Sequence, residues 1–264
     1  MRLAVAIDQN NFSVEAEKLS MKLKLPLVNF PLTKSELEGW DYLLLFEPEG
    51  LGLQTQDKAS QSIVRVDFMS ARLRHRRRDG HNEILGRACG VKDSFIPSII
   101  DATAGLGTDS FVLADLGCSI TLVERSPLVM ALLEDGLTRA ALSNKWRVAE
   151  RMILQKGDSV DYLKTLKSGH VDVIYLDPMF PASGKSAKAK KEMQVFQKLA
   201  NEYENDNEDV LLEESRRVAK YRVVVKRSTK APYLAAQQPS FDLRGKTIRY
   251  DVYTKQKLPQ NDRF

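Results

Sequence analysis

The first candidate for chemistry is a small-residue loop that follows an acid at the end of an apolar run. Residues 99–109 read Ile-Ile-Asp-Ala-Thr-Ala-Gly-Leu-Gly-Thr-Asp. Such a loop lets a ligand approach the backbone closely at the N-terminus of the helix that follows. A dinucleotide site would have a third glycine where Ser110 stands, which counts against NAD. A simpler interpretation is a tight turn in which Gly105 and Gly107 only supply positive φ angles.

Two further acids are expected at the same edge as Asp101. Glu124 ends the next apolar run, 23 positions after Asp101, where a carboxylate can accept from both ribose hydroxyls of a nucleoside. Asp158 lies between Gly157 and Ser159 after the third run, where the edge of an adenine ring is expected. Acids without a phosphate-binding cation favour a ligand with an adenosine part and a cationic end, such as S-adenosylmethionine. The alternative for each acid is a solvated side chain at a strand end.

The fourth apolar run leads directly into Asp-Pro-Met-Phe-Pro at residues 177–181. Asp177 and the Pro178 carbonyl can accept two hydrogen bonds from an exocyclic amine, and Phe180 can stack on the base that carries it. This turn resembles class I methyltransferases that act on nucleobase nitrogen, whose signature is Asp or Asn, Pro, Pro, then Tyr or Phe. Met179 replaces the second proline. A rigid proline-bounded turn with a buried Phe180 is the alternative.

Further segments narrow the resemblance: the 101–107 loop, Leu-Val-Glu-Arg-Ser-Pro at 122–127, Lys-Lys-Glu-Met-Gln-Val-Phe at 190–196 and Val-Val-Val-Lys-Arg at 223–227. Over roughly residues 66–253 the chain is similar to RsmJ, the bacterial family of 16S ribosomal RNA guanine-N2 methyltransferases. The resemblance implies that S-adenosylmethionine donates the methyl group, that S-adenosylhomocysteine is the product, and that small-subunit RNA or the subunit itself is the substrate. It implies a catalytic turn formed by Asp177, Pro178 and Phe180. The expected donor-binding residues are Asp101, Gly105, Gly107, Thr108, Asp109, Glu124, Arg125, Asp158, Ser159 and Asp177.

Two basic segments fit a nucleic-acid substrate, because cationic side chains release counterions when they contact phosphates. One precedes the glycine loop and the other follows the catalytic turn. The predicted RNA contacts are Arg72, Arg74, Arg76, Arg77, Arg78, Lys185, Lys188, Lys190 and Lys191. A solvated face is the alternative for either segment. The pair Lys226-Arg227, at the end of a later strand, fits both interpretations.

Alternating apolar runs and helical patterns predict a mostly parallel α/β sheet of the Rossmann-like, class I methyltransferase type. The expected strands are 98–101, 119–124, 152–156, 171–177 and 222–227. The expected helices are 108–116, 126–142, 187–200 and 210–219. Residues 242–246 are expected to separate two extended runs of an antiparallel hairpin, with Ile248, Tyr250 and Val252 facing one side.

The first part of the chain has a different pattern, with short extended pieces at 3–7, 42–46 and 51–54 and a helix at 14–23. These predict a small α/β appendage at 1–70, a basic connecting segment at 71–95 and a methyltransferase domain at 96–264. The hydrophobic fraction of 43% is enough for a packed core, which excludes a disordered tail or a fibre.

Other classes of protein are less well supported. No apolar run approaches the roughly 20 residues of a membrane helix, so a cytoplasmic protein is expected. Two isolated cysteines, Cys89 and Cys118, and three scattered histidines predict neither disulfides nor a metal site. Three alternatives stay open: adenine-N6 methylation of RNA or DNA, non-catalytic RNA binding on a methyltransferase fold, and, disfavoured by Ser110, a nicotinamide-dependent oxidoreductase.

Overall fold

The computed structural model describes residues 2–8, 12–55, 63–71, 73, 81–178 and 208–259. These residues form two β-sheets. The N-terminal sheet contains β1 to β5, and the larger sheet contains β6 to β12. The strands are β1 Leu3–Asp8, β2 Leu27–Phe30, β3 Tyr42–Glu47, β4 Gly50–Thr55, β5 Ile63–Arg65, β6 Ser98–Asp101, β7 Ser119–Glu124, β8 Met152–Lys156, β9 Val171–Leu176, β10 Ala219–Ser228, β11 Phe241–Arg244 and β12 Ile248–Thr254. The helices are α1 Ser13–Leu23, α2 Lys34–Leu37, α3 His81–Cys89, α4 Thr108–Asp115, α5 Pro127–Ala141, α6 Trp146–Ala149, α7 Ser159–Thr165 and α8 Glu208–Val218.

The larger sheet has the strand order β11-β12-β10-β9-β6-β7-β8. Strands β6 to β10 are mutually parallel, whereas β12 is antiparallel to both β10 and β11. The chain proceeds outward from β6 to β7 and β8, and then resumes on the other side of β6 with β9 and β10. Loops at the carboxyl ends of β6 and β9 therefore diverge, and this divergence creates the crevice in which open α/β sheets bind ligands.

Both faces of this sheet are buried. One face packs Phe111 of α4 and Leu132 of α5 into the main core, and the other packs Leu163 of α7 and Leu212 of α8 into a second core. Helix α5 begins with the predicted cap, because the Ser126 hydroxyl accepts from the backbone N–H of Val129 at 3.4 Å and Pro127 occupies the first helical position. Packing of the helices against the sheet therefore fixes the position of the loop that follows each strand.

The N-terminal sheet, in the order β2-β1-β3-β4-β5, packs on α5 and shares the main core. The backbone N–H of Leu51 donates to the carboxylate of Asp135 at 3.0 Å, and Arg139 donates to the Val66 carbonyl. Gly136 permits this approach, since a Cβ there would lie 2.3 Å from Val66 Cγ1. The appendage is therefore packed against the outside of the larger sheet's helical layer.

The predicted fold class is confirmed, including the mostly parallel sheet and its C-terminal antiparallel hairpin. The turn of that hairpin was placed wrongly: residues 242–244 belong to β11, and the chain turns at 245–247. Polar residues alternate there because β11 is an edge strand, with Arg244 bonded to Asp242 on one face. The segment 71–95 contains α3, which the basic composition did not predict. Strands β2 and β5 and helix α7 were also not predicted.

Some expectations cannot be compared with the structure. The helix expected at 187–200 lies outside the described residues, and the boundaries at 70 and 95 stay a prediction. Within the described ranges, no helix is long and apolar enough to cross a membrane.

Candidate active site

The predicted acids come together at the carboxyl edge of the larger sheet. Asp101 ends β6 and is paired in register with Leu122 of β7 and Tyr175 of β9. Glu124 ends β7 opposite Lys156 of β8, and the Gly157–Ser159 segment and Asp177 continue from β8 and β9. Parallel strands present their carboxyl ends along one line, so four separate segments of sequence form one site.

The glycine loop between β6 and α4 uses its two glycines differently. Gly105 and Gly107 have φ angles of +51° and +67°, which side chains rarely adopt. A Cβ at Gly107 would lie 2.9 Å from Leu133, so this glycine permits packing on the core. A Cβ at Gly105 would meet only the Thr103 carbonyl, at 3.9 Å, so the backbone at Gly105 borders open space. Gly105 is therefore the position at which a ligand can approach the loop.

Asp101 lies beneath this loop, with 2% of its surface exposed. It accepts from the backbone N–H of Thr103 at 3.1 Å and from the Ser110 hydroxyl. Burial raises the pKa of Asp101 to about 7, although both hydrogen bonds oppose that rise. Ser110, which replaces the third glycine of a dinucleotide site, is fully buried and braces the loop through Asp101.

Glu124 connects the loop to the start of α5. Its two carboxylate oxygens accept from the backbone N–H groups of Gly105 at 2.9 Å and of Ser126 at 2.8 Å. Burial raises the pKa of Glu124, while these N–H groups and the adjacent Arg125 lower it. A carboxylate accepts up to about four hydrogen bonds. The side chain is thus held in place by backbone donors while it can still accept from a hydroxyl group.

Asp158 caps α7, accepting from the backbone N–H groups of Val160 at 2.8 Å and Asp161 at 3.2 Å. The neighbouring Ser159 hydroxyl donates to the Ala102 carbonyl, and Gly157 donates its N–H to the Glu124 carbonyl at 3.0 Å. A Cβ on Gly157 would meet no atom within 4 Å. This segment therefore ties the third strand end to the first two and borders open space.

The opposite side of the site contains a charged cluster that sequence reasoning missed. The Lys226 ammonium, from β10, donates to Asp109 Oδ2 at 2.7 Å and to Asp177 Oδ2 at 2.8 Å. The buried Tyr175 hydroxyl donates to the same oxygen of Asp109 at 2.6 Å. Burial lowers the pKa of Lys226, but the two carboxylates outweigh it, so that the net pKa is raised and the ammonium stays charged.

The start of the catalytic turn is fixed by the glycine loop. The backbone N–H of Asp177 donates to the Thr103 hydroxyl at 2.6 Å. Asp177 and Pro178 are partly exposed, as is Arg125, while Thr108 is exposed at the first position of α4. Phe180 lies outside the described residues, as do the predicted RNA contacts Arg72, Arg74, Arg76, Arg77, Arg78, Lys185, Lys188, Lys190 and Lys191. Among the described residues, no group of three or more potential ligands could hold a metal ion.

This fold and site define a class I S-adenosylmethionine-dependent methyltransferase. Residues 29–255 match the family model described as "Putative SAM-dependent methyltransferase". A solved SAM-dependent methyltransferase from Neisseria gonorrhoeae is 35% identical, with a TM-score of 0.70 over 96% of this chain and 95% of that one. The methyl donor is S-adenosylmethionine, and the protein is an enzyme.

The comparison with curated proteins identifies the family within this class. A ribosomal RNA small subunit methyltransferase J from Cellvibrio japonicus is 43% identical over 95% of this chain and 96% of its own length. One from Aeromonas salmonicida is 46% identical over 83% of this chain and 90% of its own. The chain belongs to the ribosomal RNA small subunit methyltransferase J family.

Proposed function

We propose that this enzyme transfers a methyl group from S-adenosylmethionine to the exocyclic N2 of a guanine in 16S ribosomal RNA, in the cytoplasm. The observation that carries the proposal is the position of Asp177. Its carboxylate follows β9 at the same edge as Glu124 and the Gly105 backbone. A hydrogen-bond acceptor for an amine thus lies beside the proposed donor-binding site, which is formed by Glu124 and the Gly105 backbone.

The residues of the proposed donor-binding site fit S-adenosylmethionine. The open backbone at Gly105 admits an adenosine group, and Glu124 presents acceptors for the ribose hydroxyls. Asp158, Ser159, Thr108 and Arg125 border the same edge and complete the proposed donor contacts. S-adenosylmethionine supplies an electrophilic methyl group carried by a cationic sulfonium, a charge that an acidic edge favours.

The acceptor side has to orient a weak nucleophile, because the exocyclic nitrogen of guanine is conjugated with its ring. The Asp177 carboxylate and the Pro178 carbonyl would accept hydrogen bonds from the two N–H groups of the amine. These bonds would align the nitrogen lone pair with the methyl group. As the new C–N bond forms, the bond between the sulfonium sulfur and the methyl carbon would break, and S-adenosylhomocysteine would leave. The nitrogen would lose one proton, which the Asp177 carboxylate would receive. Phe180 would stack on the base and exclude water.

The two basic segments would contact flanking phosphates. Arginines suit bidentate phosphate contacts, and the lysines after the turn would act as mobile point charges. Replacing Arg74, Arg76 and Arg77 by alanine should weaken RNA binding and flatten its salt dependence, with donor affinity unchanged. An unchanged salt slope would show that this run is a solvated face.

The direct test is mass mapping of ribosomal RNA from cells with and without the gene. The proposal expects one N2-methylguanine in 16S ribosomal RNA to disappear and to return when purified enzyme and donor are added. Loss of a methylated adenine instead would support the adenine-N6 alternative. If no methyl group is lost from 16S ribosomal RNA, the proposed substrate is wrong.

A further inference from the structure

Lys226 links the two sides of the site through a single ammonium group. It lies near the carboxyl end of β10, and its partners belong to the first turn of α4 and to the turn after β9. Its side chain is 21% exposed, that of Asp109 is 8% exposed and that of Asp177 is 38% exposed. The lysine therefore connects a buried acid of the glycine-loop helix to a more exposed acid of the catalytic turn.

The charges explain why this arrangement fixes Asp177. Two carboxylates that share a small volume repel one another unless a cation lies between them. Tyr175 also bonds to Asp109, so Asp109 is held from two directions while Lys226 reaches across to Asp177. An ammonium group has three donors, which allows it to bond both acids at once. Removing it would release Asp177 and leave the Asp109 charge buried without its cation.

We propose that Lys226 is a positioning residue for methyl transfer, which holds the Asp177 carboxylate in a fixed place relative to the donor loop. This inference rests on the proposed acceptor role of Asp177, but it does not depend on which nucleotide is methylated. Lys226 itself would touch neither substrate. Its contribution is expected in the rate of the chemical step, because a small displacement of an orienting group costs rate more than ligand affinity.

The chain contains a matched control at the other end of the same helix. Lys145 pairs with Asp115, the last residue of α4, at 3.5 Å. The exposed fractions of that pair, 26% for the lysine and 8% for the aspartate, are close to those of Lys226 and Asp109. Lys145→Met thus removes a comparable half-buried cation far from the carboxyl edge, and it should affect stability without affecting catalysis.

The experiment measures three quantities on each variant: donor affinity by calorimetry, thermal unfolding, and single-turnover transfer of a labelled methyl group from S-adenosylmethionine. The acceptor is total ribosomal RNA and small subunits from cells that lack the gene. Counting the label does not depend on the modified nucleotide, so mapping of the product tests the proposed function separately. The variants are Lys226→Met, Lys226→Arg, Lys145→Met, Asp109→Asn and the double variant Asp109→Asn/Lys226→Met.

Lys226→Met should slow methyl transfer at least about 100-fold, while donor affinity changes less than about 5-fold. Lys226→Arg should recover at least a tenth of the wild-type rate, because it restores a cation between the two acids. Lys145→Met should transfer methyl groups at the wild-type rate. A folded Lys226→Met protein within about 3-fold of the wild-type rate would overturn the proposal.

The double variant covers the case in which Lys226→Met does not fold. Asp109→Asn removes the buried charge that Lys226 neutralises, so the charge that loses Lys226 in the double variant is that of Asp177, whose side chain is 38% exposed. Asp109→Asn alone still contains the Lys226–Asp177 pair. The double variant should be at least about 30-fold slower than Asp109→Asn. Equal rates in these two proteins would show that Lys226 serves only to neutralise Asp109, and would overturn the proposal.

Discussion

Acidic residues have different roles at the two edges of the larger sheet that the amino ends and the carboxyl ends of its parallel strands form. At the amino edge, Asp172 accepts from the backbone N–H and hydroxyl of Ser98 at 2.9 and 2.8 Å, and Asp115 pairs with Lys145. Each of these acids connects two neighbouring elements. At the carboxyl edge, acids from four strand ends and the first turn of α4 converge, and Glu124 and Asp177 are partly exposed.

The edge of the sheet at which an acid lies therefore predicts its role better than its residue type or its burial. Acids at one edge stabilise the fold, and acids at the other form the candidate site. Asp101 and Glu124 both have raised pKa values because they are buried, and backbone N–H groups are among the donors that hold them. A cluster of acids at one edge favours a cationic ligand, whereas an acid that joins two neighbouring elements stabilises the fold. Substitutions at the two edges should therefore affect different quantities.

The largest contrast should come from two aspartates near opposite ends of β9, Asp172 inside the strand and Asp177 directly after it. Asp177→Ala should slow single-turnover methyl transfer at least about 100-fold, with a change of less than about 1 kcal/mol in the free energy of unfolding. Asp172→Ala should leave the rate unchanged and lower stability by about 1 to 2 kcal/mol, because the partly buried Ser98 donors lose their acceptor. Full activity in folded Asp177→Ala protein would contradict the mechanism.

Glu124→Ala should weaken binding of S-adenosylmethionine by about 1 to 3 kcal/mol, since the ribose hydroxyls lose a charged acceptor. Calorimetry measures this loss. Glu134→Ala is the control, because Glu134 is exposed and bonded to Lys22 on the outside of α5. Equal donor affinity in the two variants would remove Glu124 from the donor site.

Asp101→Asn should change the pH dependence of stability. The pKa of Asp101 is raised to about 7 by burial, so the folded protein binds this proton more tightly than the unfolded chain. The associated stability is complete below the unfolded pKa and is lost as the pH rises through about 7. Between pH 5 and 8 the wild type should lose about 2 to 3 kcal/mol more than the variant. Thermal unfolding at both pH values checks this prediction, and Asp93→Asn, at an exposed position, is the control. An equal change in stability between pH 5 and 8 for the wild type and Asp101→Asn would contradict it.

The smallest expected effect is at Asp158. Asp158→Ala should cost about 1 kcal/mol of stability, because α7 loses its cap. Its donor affinity should fall by less than that of Glu124→Ala. Asp158→Asn retains the cap, so it should recover the stability measured by denaturant unfolding. If alanine and asparagine give the same stability, the cap contributes nothing.

The parallel strands β6 to β10 were predictable because each is an apolar run between helical patterns. Strands β2 and β5 were not, since they are only four and three residues long and lie beside turns. Helix α7 had a signal in Asp158, an N-cap residue, but the Gly157–Ser159 segment was interpreted only as a ligand loop. In β12, the alternation suggested one polar face, yet Arg249 and Asp251 are buried as a pair that braces the loop after β10.

The meeting of Asp101, Glu124, Asp158 and Asp177 at one edge was predictable because each ends or closely follows a strand, while their roles stay a prediction. The bonds of Lys226 were not, because its partners lie 117 and 49 positions away, and no local pattern encodes such a pairing. A lysine at the carboxyl end of a buried strand was the available signal. This signal indicates that Lys226 lies at the carboxyl edge of the sheet, but it does not indicate which residues Lys226 bonds.

The measurement that tests the account most directly is the structure of the enzyme bound to S-adenosylhomocysteine. The account predicts that both ribose hydroxyls lie within hydrogen-bond distance of the Glu124 carboxylate, and that the sulfur faces the Asp177–Pro178 turn. A nucleoside bound away from Glu124, or a sulfur directed away from Asp177, would contradict the claim that the carboxyl edge aligns donor and acceptor.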